Sequence, residues 1–322
     1  MMKREELFRH FVKALESKIP DKAELVETLM KLLFIEQGAV YRRLRGEVQF
    51  SFYEVVAIAQ KLDISLNDFV KKGSVQGDRF VLNIIEYTDM NEQDFTSWED
   101  YILLIHSTKN DSDSEMLESS NVLPLSIYAG FDWLSKFFLF KYQYLFCGTE
   151  RRISFGELAF PERLSQIYKA YFTETKNFAK TIFIWDYLII EYLAADIRFF
   201  EGIRLISADE IRQIKADLFA LLEYMEEITI NGRFKETGNP AFLYISEINL
   251  DADYSCLRVN DMYISHLRTF ILNSVVSTEQ STYTKLREWI TSLKKSSTLI
   301  TLTGAVLRTD FFEKQRKIIA EI

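Results

Sequence analysis

Two cysteines, three histidines and eleven glycines are spread thinly over 322 residues. Cys147 and Cys256 form no metal or redox motif, so each is expected as a buried thiol. His10, His106 and His266 lie far apart with no Cys or acidic residue at metal-ligand spacing, and each is expected to be structural. The glycines fall into neither Gly-x-Gly-x-x-Gly nor the phosphate-binding Gly-x-x-x-x-Gly-Lys-Ser/Thr, and Gly-x-Ser-x-Gly is missing too. No catalytic residue, metal site or cofactor is therefore expected, and the chain reads as a non-enzyme.

Long apolar runs are also lacking. The most hydrophobic stretch, Thr181 to Ala195, is interrupted by Asp186 and Glu191, and falls short of the roughly 20 residues a membrane helix needs. It is expected as a core helix. Lys3, Arg4, Glu5 and Glu6 precede any apolar run, which argues against a signal peptide. The expectation is a cytoplasmic protein without a membrane partner.

What is present begins with helix start signals. Asp21-x-x-Glu24 and Ser51-x-x-Glu54 have the spacing of capping boxes, in which two side chains satisfy free amides at a helix start, and Ser65-x-x-Asp68 is a weaker version. Leu25, Leu29, Leu32 and Leu33 follow the first at helical spacing, and Val55, Val56, Ile58, Ala59 and Leu62 follow the second. Pro20 ends an earlier helix carrying Leu7, Phe8, Phe11, Val12 and Leu15. Five helices fit between Lys3 and Lys72. The third, about Glu36 to Arg45, differs in character. Val40 and Leu44 mark one side, while Gln37, Tyr41, Arg42, Arg43 and Arg45 cover the rest. Gln can pair with both edge atoms of adenine, and Arg with those of guanine or with phosphate.

The run from Val40 to Val70 carries Arg45-Gly46 at the end of this third helix, a capped helix from Ser51, and a short helix opened by Ser65-Leu66. In that order and spacing it resembles the repressor/Cro-like (XRE-type) helix-turn-helix family of bacterial regulators. The resemblance covers about a fifth of the chain. It implies that the third helix enters the major groove of double-stranded DNA, with Gln37 and Arg42 at base-reading positions and Tyr41, Arg43 and Arg45 on the backbone or groove wall. Phe34 departs from the family, standing in the turn where a small residue, commonly Gly, is usual. Arg43 departs as well, at a position that often packs as an apolar residue.

Charge bounds what this segment can do alone. Residues 1–72 hold 13 Lys plus Arg against 11 Asp plus Glu, a net of +2, and the remainder holds 26 against 36, a net of −10. The larger part should repel DNA, so tight binding is expected to need a homodimer on neighbouring half-sites. Residues 73–78, with two glycines, are the expected linker between a helix-turn-helix domain at 1–72 and a second domain at 79–322.

The second domain is expected to be mainly helical. Thr96-x-x-Glu99, Asp132 to Phe146, Pro161 to Asn177, Phe178 to Ile203, Ser207 to Ile228, Asp261 to Asn273, Glu279 to Lys295 and Asp310 onward all read as helix. Lys109 to Asn121 reads as an exposed loop, and Thr298 to Thr303 as a short strand or helix extension. One β-hairpin is expected near residues 241–260, pairing Ala241 to Leu250 with Tyr254 to Val259. Residues 80–322 loosely resemble the long C-terminal halves of uncharacterised bacterial regulators, which implies a regulatory role and nothing about its chemistry; self-association or sensing of a small-molecule or protein effector is the expectation for this domain. Asp186 and Glu191, carboxylates in so apolar a stretch, are the candidate ligand-binding pair, set among aromatics around Trp133 and Trp185. The expected function is thus a sequence-specific, dimeric transcriptional regulator. The alternative is a protein-interaction module with a vestigial helix-turn-helix.

Overall fold

A computed structural model describes residues 4–62, 64, 80–82, 84–146 and 153–322. Their contacts divide the chain into two compact units, Met1–Gly77 and Asp78–Ile322. The expected linker at 73–78 and the expected fifth helix from Ser65 lie outside the described residues.

The first unit holds α1 (Arg4–Lys18), α2 (Lys22–Leu33), α3 (Gln37–Leu44) and α4 (Phe52–Lys61). Asp21 caps α2 by accepting from the Ala23 and Glu24 amides at 2.8 and 2.9 Å. Ser51 and Glu54 form the reciprocal box at α4, with Ser51 N donating to Glu54 Oε2 at 2.7 Å and Glu54 N to Ser51 Oγ at 3.2 Å. The apolar stripes meet in one core of Phe11, Leu15, Leu25, Val26, Leu29, Val40 and Ile58. Phe34 ends α2 in the left-handed conformation, with φ 53° and ψ 43°. The turn therefore keeps the geometry in which glycine is favoured, and a bulky residue holds it at some cost. Gly46, at φ 79°, stops α3, and a Cβ there would come within 3.1 Å of the Phe8 ring.

The second unit overturns the mainly helical expectation. An eight-stranded mixed sheet runs through it in the order β1-β7-β6-β5-β2-β3-β4-β8. The strands are β1 (Val81–Leu82), β2 (Glu115–Ser120), β3 (Lys180–Asp186), β4 (Ala241–Ser246), β5 (Tyr254–Val259), β6 (Met262–Thr269), β7 (Asn273–Ser277) and β8 (Ser297–Leu299). Strands β2, β3 and β4 are parallel neighbours. The longer connections between them carry α6 (Leu125–Tyr128), α7 (Asp132–Phe146) and α8 (Glu162–Glu174), then α9 (Ile189–Gly202) and α10 (Ala208–Asn231). The remaining helices are α5 (Glu92–His106), α11 (Gln280–Leu293) and α12 (Ala305–Ala320). This is an α/β domain.

Four corrections follow from strand physics. The stretch Phe178 to Ile203 is not one helix but β3 followed by α9. As a central parallel strand buried on both faces, β3 reads as a continuous apolar run, which carries no period of two. Lys109 to Asn121 is not an exposed loop throughout, for its second half is β2, buried from Met116 to Ser120 despite Glu118, Ser119 and Ser120. Asp261 to Asn273 is not a helix but β6, whose alternation of Ile264, His266 and Arg268 with Tyr263, Ser265 and Leu267 serves two different layers. The hairpin near 241–260 does not form either. Strand β4 pairs with β3 and β8, while β5 pairs with β2 and β6. The hairpin that does form joins β5 to β6, around Asn260 at φ 52°.

The sheet separates two apolar layers. Met116, Phe183, Trp185, Leu243, Leu257 and Ile264 face the main core under α5, α7, α8, α9, α10 and α12. Leu117, Ile182, Ile184 and Cys256 face a smaller core closed by Tyr283, Ile290 and Leu293 of α11. Among the described residues no helix is long and apolar enough to cross a membrane.

Candidate functional site

In the first unit, Val40 is fully buried and anchors α3 to the core. That anchorage turns Gln37, Gly38, Arg42 and Arg45 outward, where all four are exposed. Tyr41 is half-buried and packs against the core edge. Arg42 has no ion-pair partner among the described residues, whereas Arg45 is held by Glu47 through Nε–Oε1 at 2.8 Å. Arg43 points the other way. Its Nη2 lies 2.9 Å from Glu54 Oε1, with both side chains largely buried. The five candidate DNA-contact residues therefore separate into an outward set (Gln37, Arg42 and Arg45), a boundary residue (Tyr41) and an inward one (Arg43). Glu54 holds a charge for this purpose. Burial pushes its carboxyl up, but the Ser51 amide and the Arg43 guanidinium outweigh burial and hold it below the usual carboxylate range.

The second unit contains a cavity of about 420 Å³ over the β2, β5, β6 and β7 part of the sheet. This size falls within the range of small-molecule sites. Helix α5 contributes Trp98, Tyr101 and Leu104, and α8 contributes Tyr171. Tyr87 precedes α5, and Pro124, Leu125 and Tyr128 come from the turn after β2. The rings pack on one another: Trp98 lies edge-on to Tyr171 at 5.8 Å, and Tyr101 stacks on Tyr171 at 6.1 Å between centroids. Tyr87 Oη donates to Leu272 O at 3.3 Å. Trp98 Nε1 and Tyr168 Oη are buried close to that phenol.

The sheet floors the cavity with ionisable groups. Glu118 of β2 is buried, and its Oε2 accepts a short hydrogen bond from Ser126 Oγ. Burial pushes this carboxyl up to about 7, with Ser126 and Arg268 opposing the rise and Asp253 adding to it. His266 of β6 is half-buried, and its desolvation pushes it down to about 4, so it is neutral at pH 7. Its Nε2 lies 3.1 Å from Tyr101 Oη and its Nδ1 lies 3.3 Å from Ser274 Oγ. Burial raises the Tyr101 phenol far above its ordinary value, so the phenol keeps its proton. With Tyr101 donating to Nε2, Nδ1–H is left to donate to Ser274. Arg268 is committed elsewhere, to Asp253 Oδ2 at 3.1 Å, Leu123 O at 3.1 Å and Ile271 O at 2.6 Å.

The rim of the cavity is strained. Phe270 and Ile271, in the β6–β7 turn, have φ of 46° and 70°. Left-handed backbone is costly for a β-branched residue and persists only where surrounding contacts enforce it. Here the Arg268 guanidinium holds the Ile271 carbonyl.

The carboxylates expected to bind a ligand lie elsewhere. Asp186 is fully buried at the end of β3, accepting from the Leu188 and Leu250 amides, each at 2.8 Å. It ties two chain turns together. Glu191 is half-buried on α9, and neither residue lines the cavity. Trp185 is in the main core and Trp133 stacks on Phe155 at 5.9 Å. Sequence reasoning missed Glu118, His266, Tyr101 and Trp98 as a group, because three separate elements bring them together. The available signal was a glutamate at an inward position of a half-polar strand.

Cys256 is buried, which pushes its thiol up to about 12, and Cys147 lies outside the described residues. His106 pairs with Glu174 at 3.0 Å. Among the described residues no group of three or more His, Cys, Asp or Glu is placed to hold a metal ion. No family model, no curated protein and no solved structure matches this chain.

Proposed function

We propose that this protein is a sequence-specific, double-stranded-DNA-binding transcriptional regulator that acts as a homodimer in the cytoplasm, with the α/β unit receiving an effector signal. The observation that supports it is the outward face of α3. One buried valine orients a short helix so that Gln37 and Arg42, a residue type suited to adenine and one suited to guanine or phosphate, project together. Arg42 is uncommitted, as a residue awaiting a phosphate or base edge would be.

The balance of charge fits two reading heads better than one. Residues 1–72 carry only a small positive excess and the rest of the chain is acidic, so each copy neutralises few phosphates and non-specific affinity per copy is low. Two copies on half-sites about one helical turn apart supply the remainder.

The test is fluorescence anisotropy with a labelled random-sequence duplex over a series of salt concentrations. A DNA reader binds at low salt, weakens linearly in log–log form as salt rises, and loses roughly one unit of slope with Arg42→Ala. Absence of binding at the lowest salt, or a slope that Arg42→Ala leaves unchanged, would oppose this reading in favour of a protein-interaction module.

A further inference from the structure

The cavity over β2, β5, β6 and β7 has a chemical preference that can be worked out group by group. Five ionisable types face it. Arg268 and Asp253 form an ion pair at 3.1 Å, and Arg268 also donates to the Ile271 and Leu123 carbonyls, so the pair carries no net charge. His266 spends both ring nitrogens on Tyr101 and Ser274. The phenols are neutral. Glu118 has no ion-pair partner among the described residues. Ser126 donates to its Oε2, and its Oε1 has no hydrogen bond among the described residues.

Around that carboxylate stand Trp98, Tyr101, Tyr128 and Tyr171, all lining the same space. Aromatic faces carry negative quadrupole potential and attract cations, more strongly where water is excluded. Flat rings also favour a flat apolar body over a flexible polar one. An anion would find the one lining cation already paired with Asp253 and would meet a carboxylate.

The geometry points to a binding site for an organic cation that carries N–H donors, an ammonium or amidinium group, on a flat apolar body, with Glu118 as its counter-ion and the Trp98, Tyr101 and Tyr171 rings as its walls. This deepens the proposal that the α/β unit receives a signal. Its test contains no DNA, so its failure would leave the DNA-binding proposal standing.

The strained β6–β7 turn gives the site a means of response. Ile271 lines the cavity, and its carbonyl is held by the same Arg268 that pairs with Asp253. A cation beside Glu118 changes the charge facing that pair and hence its hold on the turn.

Isothermal titration of the full chain with two matched series tests the proposal. One series is benzamidine, benzamide and benzoate; the other is tryptamine, its alcohol analogue tryptophol, and indole-3-propionate. The expected result is one saturable site for at least one of the two cations, with at least tenfold weaker binding of its neutral and anionic counterparts. Glu118→Gln, which preserves the shape and the Ser126 contact, should weaken that cation at least tenfold. Leu104→Trp, which narrows the cavity from α5 without touching Glu118, should also abolish binding, and Glu191→Gln should leave it unchanged. Cation affinity should rise between pH 6 and pH 8, because Glu118 ionises across about 7; of the other groups facing it, His266 stays neutral, the Tyr101, Tyr128 and Tyr171 phenols keep their protons, and Asp253 stays paired with Arg268. Equal binding of a cation and its neutral analogue, no saturable binding by either cation, or full cation binding by a folded Glu118→Gln variant would overturn the proposal.

Discussion

Arg43 Nη2 lies 2.9 Å from Glu54 Oε1, and the same carboxylate accepts the Ser51 amide at 2.7 Å. One side chain thus fixes α3, the helix proposed to meet DNA, and closes the start of the next helix. Arg43→Ala leaves Glu54 partly buried without its cation and should cost about 1 kcal/mol of stability in the first unit. Glu54→Ala removes the capping contact as well and should cost about 2 kcal/mol. In chemical denaturation both midpoints should fall, with Glu54→Ala lower. Because the folded carboxyl titrates below its ordinary value, its contribution is present above about pH 4.5 and is lost as the pH falls through the folded pKa. Arg43→Ala should also leave the salt slope of DNA binding closer to native than Arg42→Ala does, since Arg43 is turned inward.

Phe34 is 93% exposed and left-handed. A non-glycine residue there costs roughly 1–2 kcal/mol, and glycine gives back about 0.5–1 kcal/mol through the entropy of the unfolded chain. Phe34→Gly should therefore stabilise the first unit by about 0.5 kcal/mol, seen as a higher denaturation midpoint with unchanged slope. A clear loss of stability would mean that the ring makes a contact that outweighs the strain.

Glu118 and His266 set opposed pH dependences in the second unit. Glu118, pushed up to about 7 from 4.5, keeps its proton when the unfolded chain has lost it. Its contribution is full below about pH 4.5 and is lost as the pH rises through about 7. His266, pushed down to about 4 from 6.5, contributes fully above about pH 6.5 and loses that contribution as the pH falls through about 4. Relative to the native protein, Glu118→Gln should gain stability as the pH rises from about 4.5 to 7. His266→Gln should lose it as the pH rises from about 4 to 6.5. Each difference has a limiting slope of about 1.4 kcal/mol per pH unit. Thermal melts of the three proteins across this range check both signs.

Asp253 accepts from the Asn121 and Val122 amides at 2.8 and 3.4 Å and pairs with Arg268. It ties the end of β6 to the turn after β2. Asp253→Ala strands the Arg268 charge in a mostly buried place and should cost about 3 kcal/mol or more. The conservative Asp253→Asn keeps the amide contacts and should cost less. Equal melting temperatures for the two variants would mean that the ion pair contributes nothing.

The legible parts of the fold were those whose determinants are local. Asp21, Ser51 and Ser207 each announce a helix start by a side chain that bonds amides two or three residues on, and all three helices are there. Pairing partners were not legible, because β5 chooses β2 over its sequence neighbour β4, and that choice depends on the whole sheet. The strand β3 reads as a buried apolar segment of either kind, since a central strand and a core helix leave the same trace. At the candidate sites, the outward face of α3 follows from helical spacing around Val40, whereas the inward turn of Arg43 depends on Glu54, eleven residues away. The cavity was illegible for the same reason as the sheet: Glu118 and His266 face one space only because β5 lies between their strands.

The most direct test of the central claim is selection from a pool of random duplex DNA by the purified protein, with Gln37→Ala and Arg42→Ala variants alongside. The account predicts that the native protein enriches a two-fold symmetric motif, that Gln37→Ala relaxes preference at particular positions of each half-site, and that Arg42→Ala weakens or abolishes enrichment. No enrichment by the native protein, or the same motif at the same strength from all three, would contradict it.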